Sequence, residues 1–263
     1  MKDELRPPTS AQVAAAIARR EIMIALRRKL VKLLFLGNLI PPLVMAIILI
    51  VNILARDAGI GDLGWDPLAR LLQIQIGPVL LLALGIGTPL VAHDRSEDVL
   101  FLYATRPVTP WSYTFGKMLA VAVPAIALLV LPAILIAVLR TGLMEGFGVV
   151  DALVLIAKVT LVAILVAWGY SGVSVGPSAA AKKARWALLL AFMCFAIPSG
   201  ISELIWGQGH YALDPGQAGE DLIAALFDND SVSHGVVGAI TLLVWGALGS
   251  LVISARMRRE MIP

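Results

Sequence analysis

Charge is what this sequence of 263 residues has least of: 15% are Asp, Glu, Lys or Arg, where soluble domains carry about 25%. With 59% hydrophobic residues and a mean hydropathy of +0.88, a globule of this size has nowhere to hide its apolar surface from water. A simple water-soluble domain is therefore excluded. Cys194 is the one cysteine, which excludes an intrachain disulfide and a thiolate metal cluster. A net charge of +3 offers no basic face for nucleic acid. Motifs for chemistry within the chain are missing too: no Gly-x-x-x-x-Gly-Lys-Ser/Thr, no His-Glu-x-x-His and no Gly-x-Ser-x-Gly occurs. Gly116-Lys117 lacks the upstream spacing of a phosphate loop and is followed by Met118. His93 falls on a different loop, on the opposite side, from His210 and His234. No catalytic set, metal site or cofactor is assigned, and the chain is not expected to be an enzyme. Met1-Lys2-Asp3-Glu4 lacks the apolar core of a cleavable signal peptide, so the first span is expected to act as an uncleaved one.

What is present is long apolar runs. Leu33–Leu54, Leu71–Ala92, Met118–Leu139, Ala152–Val175, Ala187–Trp206 and Val236–Ile253 each approach the ~20 residues that cross a hydrocarbon core. None alternates like a barrel strand, and only a helix satisfies its own backbone in lipid. The fold expected is an all-α membrane protein, one six-span domain over residues 1–263. Of the 21 basic residues, 17 fall on one side: the N-terminal segment, the loops after spans two and four, and the C-terminus. Seven of the 18 acidic residues are there and 11 opposite. The excess of Lys and Arg predicts cytoplasmic termini. Asn38, Pro41, Pro42, Pro78, Pro89, Pro124, Pro132 and Pro198 fall within spans. Each proline frees a carbonyl, which predicts kinked or partly unwound helices.

Residues 9–30 carry good helix formers, with Thr9 or Ser10 placed to cap them. Two readings stand side by side. One is an interfacial helix on the inner leaflet, with Arg19, Arg20, Arg27 and Arg28 against phospholipid headgroups; the other is topology signalling by basic charge alone. Between spans two and three, an acidic opening (Asp94, Glu97, Asp98) precedes the apolar set Val99, Leu100, Phe101, Leu102 and Tyr103, and Pro107 follows. A short helix here has an apolar face for a partner groove, or for its own bundle or the lipid.

Thr105-Arg106-Pro107-Val108-Thr109, then Trp111, Tyr113 and Gly116-Lys117, resemble the tail of the motif after the second span in ABC-2 type (type V-like) ABC transporter permease subunits. Asp98-Val99-Leu100-Phe101 stands where Gly-Thr-Leu-Glu is usual in that family, a departure. Six spans, internal termini and a basic N-terminal helix extend the resemblance over the chain. It implies a permease that exports a substrate across a prokaryotic cytoplasmic membrane, working as a dimer with itself or a relative. It implies a coupling helix after span two, with Asp94, Arg95, Glu97, Asp98, Leu100 and Phe101 contacting a separate ATPase subunit. Two such subunits per complex would hold the ATP and Mg. A second reading within the family is a permease that passes motor motion to an extracytoplasmic partner, for example in cofactor or metal-centre maturation. A third, from another class, is an intramembrane lipid-modifying enzyme.

Ionisable residues within spans are functional candidates. Lys158 and Glu203, both toward the outer side, are expected either to pair or to snorkel separately to water. Gln73 and Gln75 read as interhelical hydrogen-bonders. Gly172 and Gly176 form a Gly-x-x-x-Gly pair suited to close helix packing or a dimer face. Residues 207–235 are expected as an outer loop, solvated and gate-like, with a short helix over Gln217–Phe227 whose apolar side is Leu222, Ile223, Leu226 and Phe227. His210 and His234 carry no metal-ligand spacing.

Overall fold

The computed structural model describes residues 8–57, 59, 67–97, 99, 108–143, 147–206, 213–227 and 232–261. Among the described residues there are helices and no strand. In chain order they are α1 (Ser10–Leu26), α2 (Lys29–Gly37), α3 (Ile40–Asp57), α4 (Pro67–Ser96), α5 (Pro110–Leu143), α6 (Val149–Ala180), α7 (Ala184–Trp206), α8 (Pro215–Phe227) and α9 (Val232–Met261). Six segments are long and apolar enough to cross a membrane: α2 with α3, then α4, α5, α6, α7 and α9. The chain is a helical, multi-pass membrane protein. Below, its two ends are called basic and acidic after the charges they carry.

α1 starts at a capping box: Gln12 N–H donates to Thr9 Oγ1 at 3.3 Å and Thr9 N–H to Gln12 Oε1 at 2.9 Å. Its buried residues, Ala14, Ala18 and Ala25, are small, so its backbone lies close on α5. The contact requires Gly116, where a Cβ would stand 2.8 Å from Ile17 Cβ and 3.0 Å from the Ala14 carbonyl. α6 and α9 run parallel in another tight seam. A Cβ on Gly172 would overlap the Trp245 carbonyl, and one on Gly176 would lie 3.0 Å from Gly249 Cα. The Gly172/Gly176 pair thus packs against α9 of its own chain.

Of the two outcomes expected of the prolines, kinking and partial unwinding, a break in the helix is confined to the first span among the described residues. It lies at Asn38–Leu39, ahead of Pro41 and Pro42 in the first turn of α3. There a missing N–H is harmless. Pro78 and Pro89 in α4, Pro124 and Pro132 in α5, and Pro198 in α7 lie inside continuous helices. At two of these prolines a side chain takes up the freed carbonyl. Pro132 leaves the Leu128 carbonyl without its amide, and Asn38 Nδ2 donates to it at 2.8 Å. Pro89 does the same to Gly85, whose carbonyl accepts from Arg28 Nη1 at 3.1 Å.

α8 confirms a short helix before the last span, and its buried face is Pro215, Ala218, Gly219, Leu222 and Ile223. It is not a solvated loop element. Trp245 Nε1 donates to the Leu213 carbonyl at 3.0 Å, and Gly235 abuts Ala225, so α8 runs antiparallel along α9 into the bundle. Gly219 faces Ile76 of α4 and Val166 of α6.

Asn38→Ala is expected to destabilise the protein by roughly 1–2 kcal/mol by orphaning the Leu128 carbonyl. Adding Pro132→Ala supplies an amide at the right position and should recover most of that loss. Thermal unfolding followed by tryptophan fluorescence checks both, and failure of the second change to rescue the first refutes the pairing.

Candidate functional site

The last turns of α4 gather most of the buried charge at the basic end. Lys117, one turn into α5 beyond Tyr113, is 0% exposed. Its ammonium has three donors and meets three acceptors: Asp94 Oδ2 at 2.7 Å, Glu21 Oε1 at 2.8 Å and the Leu90 carbonyl at 3.2 Å. Tyr113 donates its hydroxyl to Asp94 Oδ2 at 2.7 Å and lays its ring 5.4 Å from the ammonium. Three elements, α1 through Glu21, α4 through Asp94 and α5 through Lys117, are thereby joined by one buried cation between two carboxylates. Gly116 lets α1 approach closely enough for Glu21 to reach it.

Arg95, the next residue of α4, points the other way. Its Nη1 donates to the carbonyls of Ala179, Ala180 and Ala181 at 2.9, 3.2 and 3.0 Å. These are the orphan acceptors at the negative end of α6. Arg95 Nε reaches Glu260 Oε1 at 3.2 Å, and Arg256 shares that oxygen at 2.7 Å. Just before these two charges, Asp94 and Arg95, the α4 ladder is opened by Ser178 of α6. Its hydroxyl donates to the Thr88 carbonyl at 2.7 Å and accepts from the amides of Val91 and Ala92 at 3.0 and 2.9 Å. A hydroxyl inserted beside a proline is a recognised way to accommodate a disturbed helix turn.

Of the residues expected to face a motor, Asp94 and Arg95 are turned inward to other elements. Glu97 is exposed and pairs with His93 at 3.3 Å. Asp98, Leu100, Phe101, Thr105, Arg106 and Pro107 lie outside the described residues. Val108 packs on the core. Thr109 caps α5 reciprocally with Ser112, each amide donating to the other's hydroxyl at 3.0 and 3.1 Å. Arg19, Arg20 and Arg27 are exposed, whereas Arg28 is spent on the Gly85 carbonyl. Sequence reasoning did not single out Glu21, Ser178 or Glu260. Glu21 and Glu260 had one signal: each is an isolated carboxylate in a strongly basic segment.

Toward the acidic end, the suggested ion pair of Lys158 with Glu203 is not formed. Lys158 Nζ donates to the Leu226 carbonyl at 3.0 Å, at the C-terminal end of α8, and stands 5.8 Å from the Phe227 ring. Glu203 is exposed. The physical reason is that α8 enters the bundle and brings orphan carbonyls to the lysine, a favourable cation position at a helix C-terminus. Asp214 caps α8, accepting from Gly216 N–H at 2.8 Å, with Pro215 at the first helical position. Burial pushes the Asp214 carboxyl above its ordinary range despite that bond. Burial, then Asp221 and Asp214, push Glu220 up as well. Gln75 is fully buried in α4 with no hydrogen bond to its amide among the described residues.

Among the described residues no group of three or more His, Cys, Asp or Glu side chains is placed to hold a metal ion. No protein-family profile matches the sequence, and no curated protein matches it.

Lys117→Met leaves two carboxylates facing each other without a counter-ion, a change of the kind that costs about 3–5 kcal/mol. A marked fall in Tm is expected, largely recovered when Glu21→Gln and Asp94→Asn are added; no recovery would show that the cation acts elsewhere. At α8 the sign is set by the raised carboxyls. The folded state holds these protons more tightly than the unfolded state, so their contribution is full below the ordinary carboxylate range. It is lost as pH rises through the elevated values. Amide exchange in α8, corrected for intrinsic rate, should therefore speed up from pH 4 to pH 7, and Asp214→Asn with Glu220→Gln should flatten the trend.

Proposed function

We propose that the chain is the permease subunit of an ATP-driven ABC-2 type exporter in a prokaryotic cytoplasmic membrane, with both termini cytoplasmic. The observation that carries this reading is the clamp at the end of α4. The chain leaves it directly into the segment that resembles a coupling helix. There Asp94 and Arg95 fasten α4 to α1, α5, α6 and α9 through Glu21, Lys117, the last carbonyls of α6, and Glu260. A push on that segment would reach five helices within one helical turn.

The push would come from a separate ATPase subunit, two copies per complex, which holds the ATP and Mg. Asp98, Leu100 and Phe101 would seat in its cleft, with Glu97 at the edge. Two permease copies, or this chain and a relative, would line the route. Charge asymmetry supports the orientation: 14 of the 18 described basic residues lie at the clamp end. A second reading, transfer of motor motion to an extracytoplasmic partner, is favoured by α8. This helix is packed against α4, α6 and α9, and its exposed Glu220 lies on the acidic side.

Deleting Leu100 and Phe101 should uncouple ATP hydrolysis from transport while membrane insertion persists. The test is co-purification of the ATPase encoded with this chain, and transport in vesicles. Motor binding and transport both surviving the deletion would sink the coupling-helix reading.

A further inference from the structure

On the flank formed by α6, α7 and α9 lies a cavity of about 440 Å³. Its back wall is Gly172 and Gly176 of α6, and its sides include Leu190 and Cys194 of α7 and Leu248 and Val252 of α9. The lining is almost wholly apolar, and Leu190, Leu248 and Val252 are 40–48% exposed, so the groove opens sideways to the hydrocarbon. At the ~30 Å³ that a water-sized group takes in a liquid, it has room for roughly a dozen methylenes. That is a length of acyl chain.

All three walls continue into basic residues at the same end. Past the α6 end of the groove, at Gly176 and Ala180, the chain leaves the helix, and Lys183 in the turn before α7 is exposed. On α7 the face of Leu190, Met193 and Ile197 leads back one turn to Trp186, over whose ring Arg185 lies at 5.7 Å. An exposed tryptophan stacked with a cation is an anchor of headgroup depth. On α9 the face of Trp245, Leu248 and Val252 continues at helical spacing to Arg256 and Arg259. The carboxylate at this rim is Glu260, already shared by Arg95 and Arg256. Positive charge is left over.

We propose that this groove is a site for an anionic phospholipid of the leaflet at the basic end, with an acyl chain between α7 and α9 and its phosphate at Lys183, Arg185 and Arg259. The glycines of the back wall let α6 lie directly on α9: a Cβ at Gly172 would overlap the Trp245 carbonyl, and one at Gly176 would crowd Gly249. The apolar walls take any acyl chain, while the rim selects negative headgroups. The site stands whether or not a motor binds the chain.

The single cysteine sits inside this groove and is a native reporter. The full chain is reconstituted in vesicles of phosphatidylcholine alone or of phosphatidylcholine with phosphatidylglycerol. Lipid retained on release is read by native mass spectrometry, and Cys194 by its rate of alkylation with N-ethylmaleimide. Phosphatidylglycerol should be retained over phosphatidylcholine by fivefold or more, and alkylation should slow in its presence. Lys183→Gln and Arg185→Gln change exposed side chains and should each lower retention about fivefold, the worth of one basic residue beside an anionic leaflet. Val252→Trp should fill the groove and expel lipid of either headgroup. Equal retention and equal alkylation in the two vesicle types would overturn the proposal. Crosslinking of two chains through Cys194 by a bifunctional maleimide would overturn it as well, because a second copy would then cover the groove.

Discussion

A carbonyl without a donor cannot be left in hydrocarbon, where no water replaces the missing bond. The arrangement of this bundle follows from how its unpaired carbonyls are met. Pro89 and Pro132 each free one, and Arg28 and Asn38 meet them. The end of α6 exposes three, and Arg95 meets them. The last turn of α8 exposes one to Lys158. In each case the donor comes from a different helix, so satisfying the backbone fixes how the helices sit together. Apolar packing against neighbouring helices gains little over lipid; these polar contacts specify which neighbours meet.

The same economy governs charge at the basic end. Glu21, Asp94, Glu97 and Glu260 are the described carboxylates of that side; Glu21, Asp94 and Glu260 are in ion pairs, and Glu97 lies 3.3 Å from the His93 imidazole. Two of them converge on the buried Lys117, and Glu260 serves two arginines. A buried cation flanked by two carboxylates and a tyrosine hydroxyl is stable only while all its partners hold position. Glu21, Asp94, Tyr113 and Lys117 therefore behave as one unit. Arg19, Arg20, Arg27, Lys182, Lys183, Arg258 and Arg259 remain exposed there, which is how a chain of net charge +3 presents a strongly positive face.

Much of this architecture was legible because it rests on periodic or local features. Six apolar runs give six spans, Thr9, one of two cap candidates, gives the start of α1, and the run of Leu222, Ile223, Leu226 and Phe227 gives α8. What was not legible involves the backbone as a partner. Arg28 and Gly85 lie 57 residues apart, Asn38 and Leu128 lie 90 apart, and a carbonyl leaves no mark in a sequence because every residue has one. For the same reason Lys158 invited pairing with Glu203, the nearest opposite charge in the pattern, when the acceptor was a peptide group on α8. The prolines misled in the complementary direction. Each does free a carbonyl, but at Pro89 and Pro132 a side chain distant in sequence supplies the donor.

The two ends of the bundle are held by unlike forces, and this bears on how it can move. At the basic end, full charges inside the protein bind α1, α4, α5, α6 and α9 into one body, and separating any pair exposes an unmatched charge. At the acidic end, α8 is held by its apolar face, by one lysine on a carbonyl and by a tryptophan on another, while its half-buried Asp214 carboxyl is penalised by burial. Breaking those contacts strands far less charge. A displacement entering after α4 would be carried by the clamped body as a whole, and the first contacts to yield would be those of α8 at the opposite end. Stiffness where force would enter and weakness where the bundle would open are properties of the contacts themselves, fixed before any partner binds.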